Sequence, residues 1–144
     1  MRIILFLFSV FFGVQLFAQD WQSNFAQTLQ RAKVESKPVI LVFAGSDWCA
    51  PCIKLDKSIW QSDEFVAYSQ ENLLLYKADF PRKKANKLSV QKQKENDDLA
   101  EKYNSKGYFP LVVALNSEGH VLGKIGYENV SANEYVGLLK KYFE

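Results

Sequence analysis

Short runs of the chain are almost wholly apolar, and the segments around them carry apolar residues at helical intervals. Residues 39–44 read Val-Ile-Leu-Val-Phe-Ala. A run of this length, rich in β-branched side chains and without polar alternation, predicts a strand buried on both faces, as in a parallel sheet covered by helices. Residues 73–78 predict a second strand. Residues 23–36 space Phe25, Leu29 and Ala32 as one helix face, with Ser23 as the cap, until Lys37-Pro38 breaks the pattern. After the first strand, Gly45-Ser46-Asp47 is a loop, and residues 48–59 can be helical. Another helix starts at Ser62, with Asp63 and Glu64 in the turn where the helix dipole favours negative charge.

Farther along, the segment from Arg82 to Glu95 is polar and rich in lysine, which predicts a solvated, partly helical insertion with its charges at the surface. Residues 97–106 predict a helix with Leu99, Ala100 and Tyr103 on one face and Gly107 as its stop. Residues 111–115 and 120–125 form a hairpin across Asn116-Ser117-Glu118-Gly119. Ser131-Ala132-Asn133-Glu134 is a capping box, and the helix after it turns Tyr135, Leu138, Leu139 and Tyr142 inward. A strand–helix–strand unit followed by a hairpin and a final helix predicts an α/β domain, with a central mixed sheet flanked by helices on both faces.

The N-terminus departs from these patterns. Arg2 is followed by an almost unbroken apolar stretch over residues 3–14, and a weaker stretch ends in Leu16-Phe17-Ala18. A positive start, an apolar middle and a small residue before the cut are the layout of a secretory signal, with cleavage after Ala18. The alternative is an uncleaved N-terminal membrane anchor, for which the run is short of the roughly 20 residues a span needs. The expected division is therefore a signal peptide over residues 1–18 and one domain over residues 19–144, placed in a secreted or periplasmic compartment.

Composition adds limits. The 144 residues suit a single domain, and 48% hydrophobic with 24% charged residues is ordinary for a globular fold. Net charge is +2, or +1 once Arg2 is lost, which gives no overall electrostatic case for nucleic acid as a partner.

Both cysteines of the chain lie in Ser46-Asp47-Trp48-Cys49-Ala50-Pro51-Cys52. Three readings compete. A structural zinc site needs four ligands, and the only further Cys or His is His120. A structural staple would close so short a loop that its entropic contribution is small. A redox pair has a physical logic. Positions i and i+3 at a helix start lie on one face, with Cα atoms roughly 5 Å apart, within the span of a disulfide. Cys49 at the helix start meets the positive end of the dipole and free amides, both of which stabilise a thiolate. Cys52, a turn deeper, is expected to be more shielded. Cys49 is then the nucleophile and Cys52 the resolving thiol, with Pro51 suited to the first helical turn.

At this point the residues resemble a known family. Trp48-Cys49-Ala50-Pro51-Cys52 after an apolar strand, with Lys37-Pro38-Val39 before it, resembles the active site of thioredoxin-like proteins. The likeness is nearest to secreted bacterial members and to the C-terminal domain of membrane thiol:disulfide interchange proteins, and it spans about residues 37–143. It implies a thioredoxin fold. It also implies that Phe109-Pro110 is cis and sits against the cysteines, leaving the Phe109 backbone free to pair with an extended substrate segment. Trp48, Phe109 and Gly126 are implied as substrate contacts, although Trp48 can equally pack on its loop. The family's buried aspartate, six residues before the first cysteine, is replaced by Phe43. Asp47 is either its substitute in proton transfer or an ordinary residue of the loop.

The expected activity is thiol–disulfide exchange on exported proteins, leaning toward reduction because no histidine lies between the cysteines. The Cys49–Cys52 disulfide carries the electrons, so no organic cofactor and no metal is implied. Expected partners are client proteins with disulfides or thiols and a second redox protein, membrane-bound or free, that resets the pair. The alternative from another class is a non-catalytic binding or chaperone module on the same fold. Trp21 and Trp60 are expected to pack, His120 to be solvated, and Asn129-Val130-Ser131 to be a chance sequon in which Ser131 caps a helix.

Overall fold

The structure is a computed structural model that describes residues 19–143; the signal segment expected over residues 1–18 lies outside them. Its elements run β1 (Trp21–Gln22), α1 (Phe25–Glu35), β2 (Val39–Ala44), α2 (Ala50–Leu55), α3 (Asp63–Asn72), β3 (Leu74–Asp79), α4 (Val90–Tyr103), β4 (Leu111–Leu115), β5 (Val121–Ile125) and α5 (Ala132–Lys140). A wider π turn over Asp56–Trp60 extends α2, and a short 3-10 turn over Lys84–Asn86 precedes α4. The strands form one sheet in the order β1-β3-β2-β4-β5. β1, β3 and β2 run parallel, β4 pairs antiparallel to β2, and β5 pairs antiparallel to β4, which gives the mixed sheet expected.

Alternation along β2 divides the core in two. Ile40, Val42 and Ala44 face a cluster with Leu55, Ile59 and Trp60 of α2 and its extension, Phe65 of α3, and Tyr135, Val136 and Leu139 of α5. Val39, Leu41 and Phe43 face a second cluster with Phe25 and Ala32 of α1 and Leu99 and Tyr103 of α4. Every residue of β2 is buried, as a central strand covered on both sides requires. Each fully buried Val, Leu, Ile or Phe contributes roughly 1.5–3 kcal/mol, so β2 and its neighbours anchor the sheet from which the cysteine loop leaves.

Several expectations need correction. Strand β1 was not expected; two residues carry no readable alternation, and pairing with β3 with an edge-on Trp21–Trp60 contact holds them. The cap of α1 is Asn24, whose side chain accepts from the Gln27 amide, rather than Ser23. The lysine-rich segment is partly helical as expected, but its helix is continuous with α4, which begins at Val90, seven residues before its expected start. Its charges are not all surface charges. Glu95 accepts from the Phe25 amide at 2.9 Å, and Lys92 reaches both Glu95 and the Tyr76 hydroxyl. In α5, Val136 is buried where Leu138 was expected to be, and Tyr142 lies past the helix end but still packs inward on the core, its hydroxyl donating to the Lys124 carbonyl at 3.0 Å. The hairpin, the Ser62 cap, the Ser131–Glu134 capping box and the solvated His120 are as expected.

Candidate active site

The site grows from the carboxyl end of β2. The Gly45 carbonyl accepts from the Trp48 amide at 3.2 Å and the Cys49 amide at 2.9 Å, which turns the chain from strand into helix. Cys49 caps α2 in an extended conformation, and Pro51 occupies the first turn, where its missing N–H costs nothing. Cys49 and Cys52 are joined, with sulfurs at 2.13 Å and Cα atoms 5.2 Å apart. The Cys52 amide donates to Cys49 Sγ at 3.3 Å. That amide stands ready to stabilise a thiolate at Cys49 when the pair opens. Both cysteines are only 4% exposed, so shielding does not rank them as expected. What distinguishes them is position: Cys49 is the cap, and Cys52 lies inside the helix.

The Phe109–Pro110 peptide is cis, and Phe109 packs against the cluster that holds the cysteines. The Tyr108 carbonyl accepts from the Asn104 side chain at 2.8 Å, and the Tyr108 amide donates to it at 2.9 Å, which fixes the approach to the proline. Gly126 lies beside it: a Cβ there would stand 3.7 Å from the Pro110 carbonyl oxygen, an ordinary contact that does not itself demand glycine. The Gly126 carbonyl accepts from the Tyr135 hydroxyl at 2.8 Å, and burial pushes that hydroxyl's pKa up, so it remains a donor.

Trp48 takes the packing role weighed for it. It packs on its loop, where its Nε1 donates to the Phe80 carbonyl at 2.7 Å, and it forms an edge contact with Phe109 at 5.5 Å. Phe80 meets Phe109 at the same distance. Trp48, Phe80 and Phe109 thus make a partly exposed aromatic wall beside Cys49. Phe80 carried no sequence signal of its own; only the return of β3 to the cysteine loop places it there.

The proton-transfer expectations resolve by geometry. Phe43 packs in the cluster under α1 and α4, on the opposite face of the sheet from the cysteines. The β2 residues on the cysteine side are Ile40, Val42 and Ala44, none of which carries a titratable side chain. Asp47 is spent on structure: it accepts from the Arg82 amide at 2.9 Å, the Lys83 amide at 3.0 Å and the Asn86 side chain at 2.9 Å. The Arg82 amide, and then Asn86, hold its carboxyl below the ordinary carboxylate value. A different carboxylate reaches the site. A pocket of about 290 Å³ is lined by Cys52, Ala44, Ser46, Asp56, Gln61 and Lys77, with Asp56 paired to Lys77 at 2.8 Å. Asp56 follows Cys52 by four residues, one helical turn on the same face, and that spacing was the available signal.

The chain is similar to known proteins along most of this framework. A family model described as Thioredoxin-like matches residues 20–117. A disulfide bond reductase, DsbH, of Chlamydia pneumoniae is 36% identical over 121 residues, which cover 84% of this chain and 70% of the relative. The solved structure of a DsbH oxidoreductase superposes with a TM-score of 0.80 at 34% identity, over 86% of this chain and 83% of that one. The oxidised C-terminal domain of DsbD from Neisseria meningitidis, at 22% identity and a TM-score of 0.57 over 81% and 90% of the two chains, shares the fold.

Proposed function

The chain belongs to the thioredoxin-like family, and from that premise we propose that it is a thiol–disulfide oxidoreductase that reduces disulfides of other proteins outside the cytosol. The reduced Cys49 thiolate attacks one sulfur of a substrate disulfide. That disulfide breaks, one substrate sulfur leaves as thiolate and takes up a proton, and a mixed disulfide joins Cys49 to the other. Cys52 then gives up its proton and attacks Cys49 Sγ. The second substrate thiol leaves, and the Cys49–Cys52 disulfide has passed two electrons to the substrate. A redox protein that returns two electrons completes the cycle.

Roles for the surrounding residues follow from their positions. The pocket shared with Asp56 and Lys77 offers the Cys52 proton a carboxylate acceptor. Trp48 and Phe109 form an apolar wall for the substrate, and the backbone beside cis-Pro110, with Gly126 next to it, receives an extended segment by strand addition. The observation that carries the reading is the Cys49–Cys52 pair closed at the helix start, at the carboxyl end of β2, in a chain similar to a disulfide bond reductase.

The test is turnover of a disulfide-bonded protein, with dithiothreitol as electron source. The protein is expected to accelerate reduction, the Cys49→Ser variant to do nothing, and the Cys52→Ser variant to accumulate a mixed disulfide with substrate. Full function in a Cys49→Ser, Cys52→Ser double variant would instead make the fold a binding module.

A further inference from the structure

The segment between β3 and α4 carries Arg82, Lys83, Lys84 and Lys87, all exposed, and none of their side chains forms an ion pair among the described residues. These four cations fall within six consecutive residues, 82–87, that include no acidic residue.

Its place is fixed against the redox loop from two sides. Asp47, two residues before Cys49, receives the Arg82 and Lys83 amides and the Asn86 side chain. Ser46 is tied to Asp79 at the end of β3 through its amide at 2.8 Å and its hydroxyl at 2.5 Å. The Arg82 guanidinium lies 3.7 Å from the centre of the Trp48 ring, on the aromatic wall itself. The carboxylates of Asp47 and Asp79 offset part of the local charge. Their oxygens accept from these amides, the Ser46 hydroxyl and the Asn86 side chain, while Lys83, Lys84 and Lys87 are exposed without an ion pair and Arg82 lies on the Trp48 ring.

From this we infer that the 82–87 segment is a cationic rim that selects substrates whose disulfide is flanked by acidic residues. The inference rests on the disulfide-exchange reading above and names the substrate class for that site. An extended substrate laid along cis-Pro110 and the Trp48–Phe109 wall would carry its flanking residues past Arg82. Clustered charge of one sign beside a reactive group raises encounter rates by about 10–1,000-fold, and the effect decays within about 8 Å at physiological salt.

The experiment measures kcat/KM for three disulfide peptides that differ only in acidic, neutral or basic flanking residues, across an ionic-strength series. The unaltered protein is expected to prefer the acidic peptide over the basic one by at least about tenfold at low salt, with the preference collapsing as salt rises. The Lys83→Glu, Lys84→Glu, Lys87→Glu variant is expected to invert that ratio. Equal kcat/KM for all three peptides would overturn the rim while leaving the redox reading intact. No turnover of any peptide would instead remove the redox reading beneath it. A single-stranded oligonucleotide and vesicles of phosphatidylcholine with phosphatidylglycerol are the controls. Binding to either that is lost on charge reversal, with peptide preference unchanged, would assign the cations to that surface and overturn the inference.

Discussion

Gly45 gives the sharpest test of how the redox loop is held. An ideal Cβ at this position would stand 2.2 Å from Cε2, 2.5 Å from Nε1 and 2.6 Å from Cζ2 of the Trp48 indole. Tight contacts between real atoms begin near 3.4 Å, so a Gly45→Ala substitution must drive the ring back by about 1.2 Å. The ring has little freedom to withdraw, because its Nε1 donates to the Phe80 carbonyl at 2.7 Å and its edge meets Phe109. Overpacking of this kind costs about 1–3 kcal/mol. Loss of the Trp48–Phe80 hydrogen bond adds about 0.5–1.5 kcal/mol. Together the substitution is expected to cost about 2–4 kcal/mol, which moves a urea unfolding midpoint down by roughly 1–3 M. The same variant should slow substrate reduction, since the displaced indole is part of the wall beside Cys49. Urea titration of the oxidised protein, followed by tryptophan fluorescence and by far-UV circular dichroism, measures the first effect. A midpoint within about 0.3 M of the parent, with unchanged turnover, would show that Trp48 is not fixed as described.

Three further outcomes follow from the same geometry. Asp47 has its carboxyl pKa lowered, so the tie it makes to residues 82–86 is present above the ordinary carboxylate range and is lost as pH falls through the lowered value; the protection of the Arg82 and Lys83 amides against hydrogen exchange, taken relative to the intrinsic rate at each pH, should hold at neutral pH and fall only in acid, and an Asp47→Ala variant should lack that protection at every pH. Tyr135→Phe removes a buried donor to the Gly126 carbonyl and should cost about 1–3 kcal/mol by equilibrium unfolding, whereas a cost near zero would mean that water or another group satisfies that carbonyl. Asp56→Asn should leave formation of the mixed disulfide unchanged and slow its resolution by Cys52, up to about a hundredfold; stopped-flow kinetics that show both steps unaltered would remove Asp56 from the proton path.

Much of the fold was legible because the core strands are so uniformly apolar. The β2 run and the β4–β5 hairpin could be read from composition and turn residues alone, and the Ser131–Glu134 box marked a helix start to the residue. The redox pair was equally plain, since two cysteines at i and i+3 after a buried strand admit few arrangements. What escaped the sequence was set by tertiary contacts. Helix α4 begins early in a run of Lys and Gln with no apolar face, and Lys92 and Glu95 hold that turn by reaching Tyr76 and Phe25. The direction of Phe43 could not be settled by counting back from Cys49, because the length of the intervening loop decides which face of β2 each residue occupies. The role of Asp47 was hidden for a similar reason: its partners lie 35 to 39 residues away.

The central claim is that Cys49 and Cys52 form a reducing pair, and its most direct test is the reduction potential of that disulfide, measured by equilibration against glutathione and dithiothreitol buffers. The account predicts a value near about −270 mV, that of thioredoxin. A value near about −120 mV, that of a strong disulfide donor, would contradict it.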